Sequence, residues 1–126
     1  MTSTGTRVIG LKEIAPIDLG NNSWSRVIVN ATTVRENLSA LGYSVFAPGL
    51  VTADLSHSTE ELAFVVSGSG RIRLEDDEVA VTTHDAIFIP AGVWHTISVD
   101  REEELIMVFT FPWTDYPPTQ RQESRH

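Results

Sequence analysis

The chain has 126 residues, 41% of them hydrophobic, which suits one domain with a core of its own. It contains no cysteine, so disulfides, thiolate metal sites and thiol nucleophiles are excluded, and any metal must be held by nitrogen and oxygen. With 17 acidic residues against 9 basic and a net charge of −8, it lacks the basic footprint that nucleic acid or an anionic membrane requires.

Residues 1–6 are small and polar and are expected to be flexible. Val8, Ile9, Leu11 and Ile14 are apolar but irregular, enough for a short strand or one turn of helix. Residues 18–23 form a turn cluster, and residues 24–30, built around Val27-Ile28-Val29, read as a strand. Thr32, Thr33 and Val34 are poor helix formers, so residues 32–41 are expected to be a loop or an irregular strand. No charged-then-apolar leader opens the chain, and no apolar run approaches the ~20 residues of a membrane helix. A cytoplasmic protein is the expectation.

From Tyr43 onward the pattern is β. A strand over residues 43–47 stops at Pro48-Gly49. Next, Val51, Ala53, Leu55 and His57 alternate with Thr52, Asp54 and Ser56, so His57 points inward with the apolar set. Residues 61–66 look apolar on both faces, as a strand between two layers would be. Ser67-Gly68-Ser69-Gly70 reads as a tight turn, and Glu75-Asp76-Asp77-Glu78 as the bend of a hairpin joining residues 71–75 to 79–82. A strand over residues 85–89 closes at Pro90-Ala91-Gly92, and His95, Ile97 and Val99 then share one face. Residues 105–111 form the last strand. Residues 112–126, with three prolines, are expected to be a flexible tail lying over the surface. Short strands at near-regular spacing make an all-β sandwich or barrel.

A histidine closing an inward-facing strand is costly unless its ring nitrogens find partners, and Glu61 beside it would be a desolvated carboxylate. A metal could hold both; so could a metal-free His–Glu hydrogen bond. Arg26 and Arg35 are candidates for binding a substrate carboxylate, and Trp24, Tyr43 and Trp94 for lining a mouth.

The spacing carries a resemblance. The first cupin motif runs Gly, five residues, His, one residue, His, three or four residues, Glu, six residues, Gly; Gly49, Leu55, His57, Glu61 and Gly68 fall at those places. The second runs Gly, five residues, Pro, one residue, Gly, two residues, His, three residues, Asn; His84, Pro90, Gly92, His95 and Val99 occupy it. The chain thus resembles a small single-domain cupin; the resemblance spans about residues 43–111, and residues 1–126 are expected to form the one domain. Leu55 stands where the leading histidine ligand belongs, His84 replaces the turn glycine, and Val99 replaces the closing asparagine.

The resemblance implies a double-stranded β-helix, a jelly-roll barrel with the site inside, and a homodimer. It carries over His57, Glu61 and His95 as metal ligands. Two imidazoles and a carboxylate suit iron first, with zinc, manganese, nickel or cobalt also compatible. Val65, Ile97, Val99, Met107 and Phe109 are expected to join Leu55 in making the chamber apolar, for a small, partly hydrophobic organic substrate. The expected function is a metal-dependent enzyme, with dioxygenase chemistry or Lewis-acid isomerase, cyclase, lyase or decarboxylase chemistry. Two alternatives stand beside it. One is a metal-free dehydratase or isomerase using Glu61 and His57 as acid and base; the other is a non-catalytic small-ligand-binding module.

Overall fold

Antiparallel pairing of short strands accounts for almost every element. The computed structural model describes Thr2 and residues 4–124; Met1 and Ser3 of the expected flexible start, and Arg125 and His126 of the tail, lie outside the described residues. After a 3₁₀ turn at Leu11–Glu13 come β1 (Ile17–Gly20), β2 (Ser23–Val29), β3 (Ala40–Phe46), β4 (Asp54–His57) and β5 (Glu61–Ser67). These are followed by β6 (Ser69–Arg73), β7 (Glu78–Thr82), β8 (Ala86–Ile89), β9 (Thr96–Val99), β10 (Leu105–Phe111) and β11 (Thr119–Gln122).

One layer is a six-stranded sheet in the order β1-β2-β3-β10-β5-β8. The facing layer is the three-stranded β7-β6-β9, extended by the pair β4-β11 through single bridges from Val51 to Ser98 and from Leu55 to His95. This is the all-β jelly roll that the strand spacing and the resemblance implied. Its core lies between the layers and includes Phe46, Val65, Ile72, Leu105, Met107, Phe109 and Phe111. Burying each large side chain of that set contributes about 1.5–3 kcal/mol. Among the described residues no helix is long and apolar enough to cross a membrane.

Several local expectations change. Residues 18–23 are not all turn: β1 and β2 pair across Asn21-Asn22, whose φ values of 50° and 59° give the left-handed geometry of a two-residue hairpin bend. The stretch 67–70 is not a hairpin turn, because β5 and β6 belong to different layers and the chain crosses between them at Gly68. A Cβ at Gly68 would lie 2.1 Å from the Glu104 carbonyl oxygen, and φ is +98°, so only glycine fits this crossing.

β5 is not buried on both faces. Ala63 and Val65 point into the core, while Leu62, Phe64 and Val66 face outward at 47%, 44% and 39% exposure, with the His84 ring stacked on Phe64. The tail does more than lie over the surface. Its strand β11 pairs antiparallel with β4, placing Thr119 opposite His57 and Arg121 opposite Leu55. The Ser58 amide donates to the Pro118 carbonyl at 2.9 Å, and the Gln122 side-chain amide donates to buried Asp54 at 2.9 Å, anchoring the strand at both ends.

Candidate metal centre

Three strands and one turn bring the chemistry together. β4 ends on His57, β5 begins on Glu61, and His95 precedes β9, held by paired backbone bonds of 3.0 and 2.9 Å with Leu55. The amide of Gly92 donates to the His57 carbonyl at 2.8 Å, tying the turn that carries His95 to the end of β4. Both histidines are buried, at 4% exposure, and Glu61 at 8%. Glu61 Oε1 lies 3.2 Å from His57 Nε2 and 3.6 Å from His95 Nε2. One ligand atom from each of the three fits within a 4.8 Å span.

The other ring nitrogens decide what these contacts mean. His95 Nδ1 is 2.9 Å from the Val93 carbonyl, which can only accept, so Nδ1 carries the proton. His57 Nδ1 is 2.8 Å from Thr119 Oγ1, and that hydroxyl already donates to the Pro117 carbonyl at 2.8 Å. Thr119 therefore accepts from His57 Nδ1–H. When both rings are neutral, they turn Nε2 lone pairs toward the same carboxylate oxygen. Three acceptors then converge in a buried place with no donor among them, an arrangement that is repulsive unless a proton or a cation sits between them.

The donor set fits a cation. Metal-ligating histidines characteristically donate their second N–H to a carbonyl or similar acceptor, as both do here. With metal–ligand bonds of about 2.1 Å, neighbouring ligand atoms stand about 3.0–3.4 Å apart, close to the two contacts observed. Burial pushes the His95 pKa below the usual histidine value, against the opposing pull of the Val93 carbonyl and the Glu61 charge. That keeps its lone pair available.

A cavity of about 360 Å³ opens onto the triad. Leu55, Ile97, Met107, Phe109 and Phe111 form apolar walls, and Ser25, Ser44, Tyr116 and Arg121 supply polar groups. Val65 and Val99, expected in the chamber, are in the packed core and not among the cavity's lining residues. Phe109 reaches the wall because it lies across Gly42, where a Cβ would come within 2.1 Å of its ring. The His57 ring is held between Phe111, centroids 5.0 Å apart, and Tyr116, at 5.5 Å and nearly perpendicular. Burial and the Glu61 charge push the Tyr116 phenol up to about 12, so it stays a neutral hydroxyl.

The structure brings His57, Glu61 and His95 together, but not the other candidates. Arg26 donates to the Leu11 carbonyl at 3.1 Å and lies over the Trp24 ring. Arg35 is an exposed turn residue with φ 81°. Trp24 stacks on Tyr43 away from the cavity, and Trp94 is not among its lining residues. Tyr116, Thr119 and Arg121 were absent from the sequence reading; the one hint was the alternation Thr-x-Arg after Pro117-Pro118.

The family model of the cupin domain matches residues 42–111, more than half of the chain. The chain is a cupin. Its sequence is 35% identical to an acireductone dioxygenase of Ixodes scapularis over 51 residues, which is 36% of this chain and only 28% of that protein. An uncharacterised protein of Streptomyces coelicolor is 26% identical over 80 residues, 63% of this chain and 76% of the relative. The fold of this cupin is similar to that of the polyketide cyclase RemF from Streptomyces resistomycificus, with TM-score 0.77 and 18% identity over 95% of this chain and 88% of the other. It is also similar to Bacillus subtilis oxalate decarboxylase, with TM-score 0.79 and 18% identity over 92% of this chain but 33% of that one. That decarboxylase has Mn(II) centres.

Proposed function

We propose that this cupin is a metal-dependent enzyme acting on a small, partly apolar organic molecule, with dioxygenase chemistry as the leading reaction. The observation that carries the reading is the convergence of His57 Nε2, His95 Nε2 and one Glu61 carboxylate oxygen at a cavity with both apolar and polar walls. His57, Glu61 and His95 would hold a divalent ion. When bound by two imidazoles and one carboxylate, such an ion offers open positions for substrate and dioxygen, or acts as a Lewis acid on a carbonyl or enol.

The chain's own residues do the rest. Leu55 withdraws a fourth ligand and leaves an apolar surface beside the triad. Thr119 and the Val93 carbonyl fix both imidazoles in the tautomer that presents Nε2. Tyr116 stays a neutral hydroxyl at the cavity wall, able to donate to a substrate oxygen. Leu55, Met107, Phe109 and Phe111 exclude water around the substrate's apolar part. The likeness to an acireductone dioxygenase supports the oxygen-dependent reading. The fold shared with a polyketide cyclase and with a decarboxylase keeps Lewis-acid chemistry as the second reading.

The test is an oxygen electrode with protein loaded separately with iron(II) and zinc(II), offered enediols, catechols and 1,3-diketones. Oxygen uptake with iron and none with zinc is the expected result. Product formation with zinc and without oxygen would move the chemistry to the Lewis-acid reading. Turnover that survives exhaustive chelation would overturn the metal reading in favour of Glu61–His57 acid–base catalysis.

A further inference from the structure

The position vacated by the missing histidine ligand has a neighbour of opposite character. Leu55 sits between two partners in the sheet: His95 on one side, through paired backbone bonds, and Arg121 on the other, in the β4–β11 ladder. Directly opposed residues of an antiparallel pair project to the same face with Cβ atoms about 5 Å apart. His95, Leu55 and Arg121 therefore form one row facing the cavity, and all three line it. Beside this row runs the shorter one of His57 and Thr119.

Among the described residues that line the cavity, Arg121 is the only Lys or Arg. No carboxylate of the described residues forms an ion pair with it. The cavity is otherwise short of positive charge: it holds Glu61 at its inner end and Asp18 at its rim, in a chain of net charge −8. An unpaired guanidinium on a cavity wall, beside a leucine instead of a ligand, offers a planar fork of donors to an anion.

We propose that Arg121 and Leu55 together form an acid-binding subsite, so that the substrate is an apolar carboxylic acid whose carboxylate is held by Arg121 while its hydrocarbon part lies against Leu55, Ile97 and Met107. The proposal rests on the reading of this cavity as the substrate site and narrows the substrate class. Two residues along a strand advance about 6.6 Å, the separation of the Arg121 row from the His57 row. The acid group and the reacting carbon are thus separated by a short spacer instead of meeting the triad together. Tyr116 lines the same cavity as Arg121.

The experiment compares binding of phenylacetate, 3-phenylpropanoate and 4-methylpentanoate with that of their neutral amides by calorimetry. Wild type, Arg121→Gln and Arg121→Lys are each titrated metal-free and zinc-loaded. The side chain of Arg121 is exposed and the strand pairs through its backbone, so both variants retain the fold. At least one acid is expected to bind the wild type tenfold or more tightly than its amide, with and without zinc. Arg121→Gln should erase the difference, and Arg121→Lys should keep part of it. No acid preference in the wild type, or a preference unchanged in Arg121→Gln, overturns the proposal. A preference that needs zinc and ignores Arg121 places the acid on the metal and overturns it as well. A protein that binds no metal yet keeps an Arg121-dependent acid preference supports the proposal while contradicting the metal reading.

Discussion

Thr119 is the residue on which the state of the site turns most directly. Its hydroxyl has one proton, committed to the Pro117 carbonyl, so it can only accept from His57. Replacing it with valine keeps the shape and removes the acceptor. The His57 proton then gains by moving to Nε2, where Glu61 Oε1 waits at 3.2 Å. Thr119→Val is expected to weaken metal affinity about 10–100-fold, the usual cost of losing such a supporting bond. Nitrogen-15 NMR of the metal-free protein should show His57 changing from Nδ1–H to Nε2–H. Thr119→Ser should behave as wild type; equal loss in both variants would mean that Thr119 serves packing alone.

His95 sets a pH dependence at the same scale. Burial lowers its pKa in the folded chain below the ordinary 6.5. The unfolded chain therefore takes up a proton first as pH falls. Above about pH 6.5 both states are neutral at this residue and it contributes nothing to the slope; below that value the unfolded state binds more protons, and stability declines until the folded pKa is passed. Urea titrations of metal-free protein between pH 7.5 and 5 should show this loss, and His95→Gln should flatten it. An unchanged slope in His95→Gln would assign the loss to other groups.

At the scale of elements, the site belongs to crossings and edges more than to any one strand. Gly68 carries the chain from one layer to the other against the Glu104 carbonyl. Gly68→Ala combines a left-handed φ of +98° with a backbone overlap, and is expected to cost about 3 kcal/mol, read as a lower urea midpoint at unchanged slope. A variant as stable as wild type would show that the crossing has room to relax.

β4 and the turn before β9 were legible in the sequence because their apolar residues alternate, so the inward direction of His57 and His95 followed from parity alone. β11 was not. Its residues Thr119-Gln120-Arg121-Gln122 are all polar, since one face looks into a polar site and Gln122 on the other reaches Asp54. No hydrophobic period marks such a strand, and Pro117-Pro118 just before it reads as a breaker. β5 misled for the converse reason. Leu62, Phe64 and Val66 are apolar yet outward, so an apolar run suggested burial that the described residues do not provide.

At the scale of the whole molecule, that outward face has a consequence. Leu62, Phe64 and Val66 on β5 and Phe88 on β8, at 58% exposure, form an uncharged apolar strip on a molecule of net charge −8. Apolar surface of this kind is suited to association. We propose that the homodimer implied by the cupin resemblance forms here, since a second copy presents an equally uncharged strip and buries both without bringing the acidic surfaces into contact. Phe64→Glu, an outward position, should leave the fold intact and give a monomer by sedimentation velocity where the wild type is a dimer. A wild-type monomer, or a Phe64→Glu dimer, would place association elsewhere.

The central claim is that His57, Glu61 and His95 hold a divalent metal. Elemental analysis of protein purified without chelators tests it most directly, on wild type, His57→Ala, Glu61→Gln, His95→Ala and the control His84→Ala. The account predicts close to one divalent ion per chain in wild type and His84→Ala, and almost none in the three site variants. A wild-type protein that carries no metal and takes up none on addition of iron(II), zinc(II) or manganese(II), or metal content equal in all five, would contradict it.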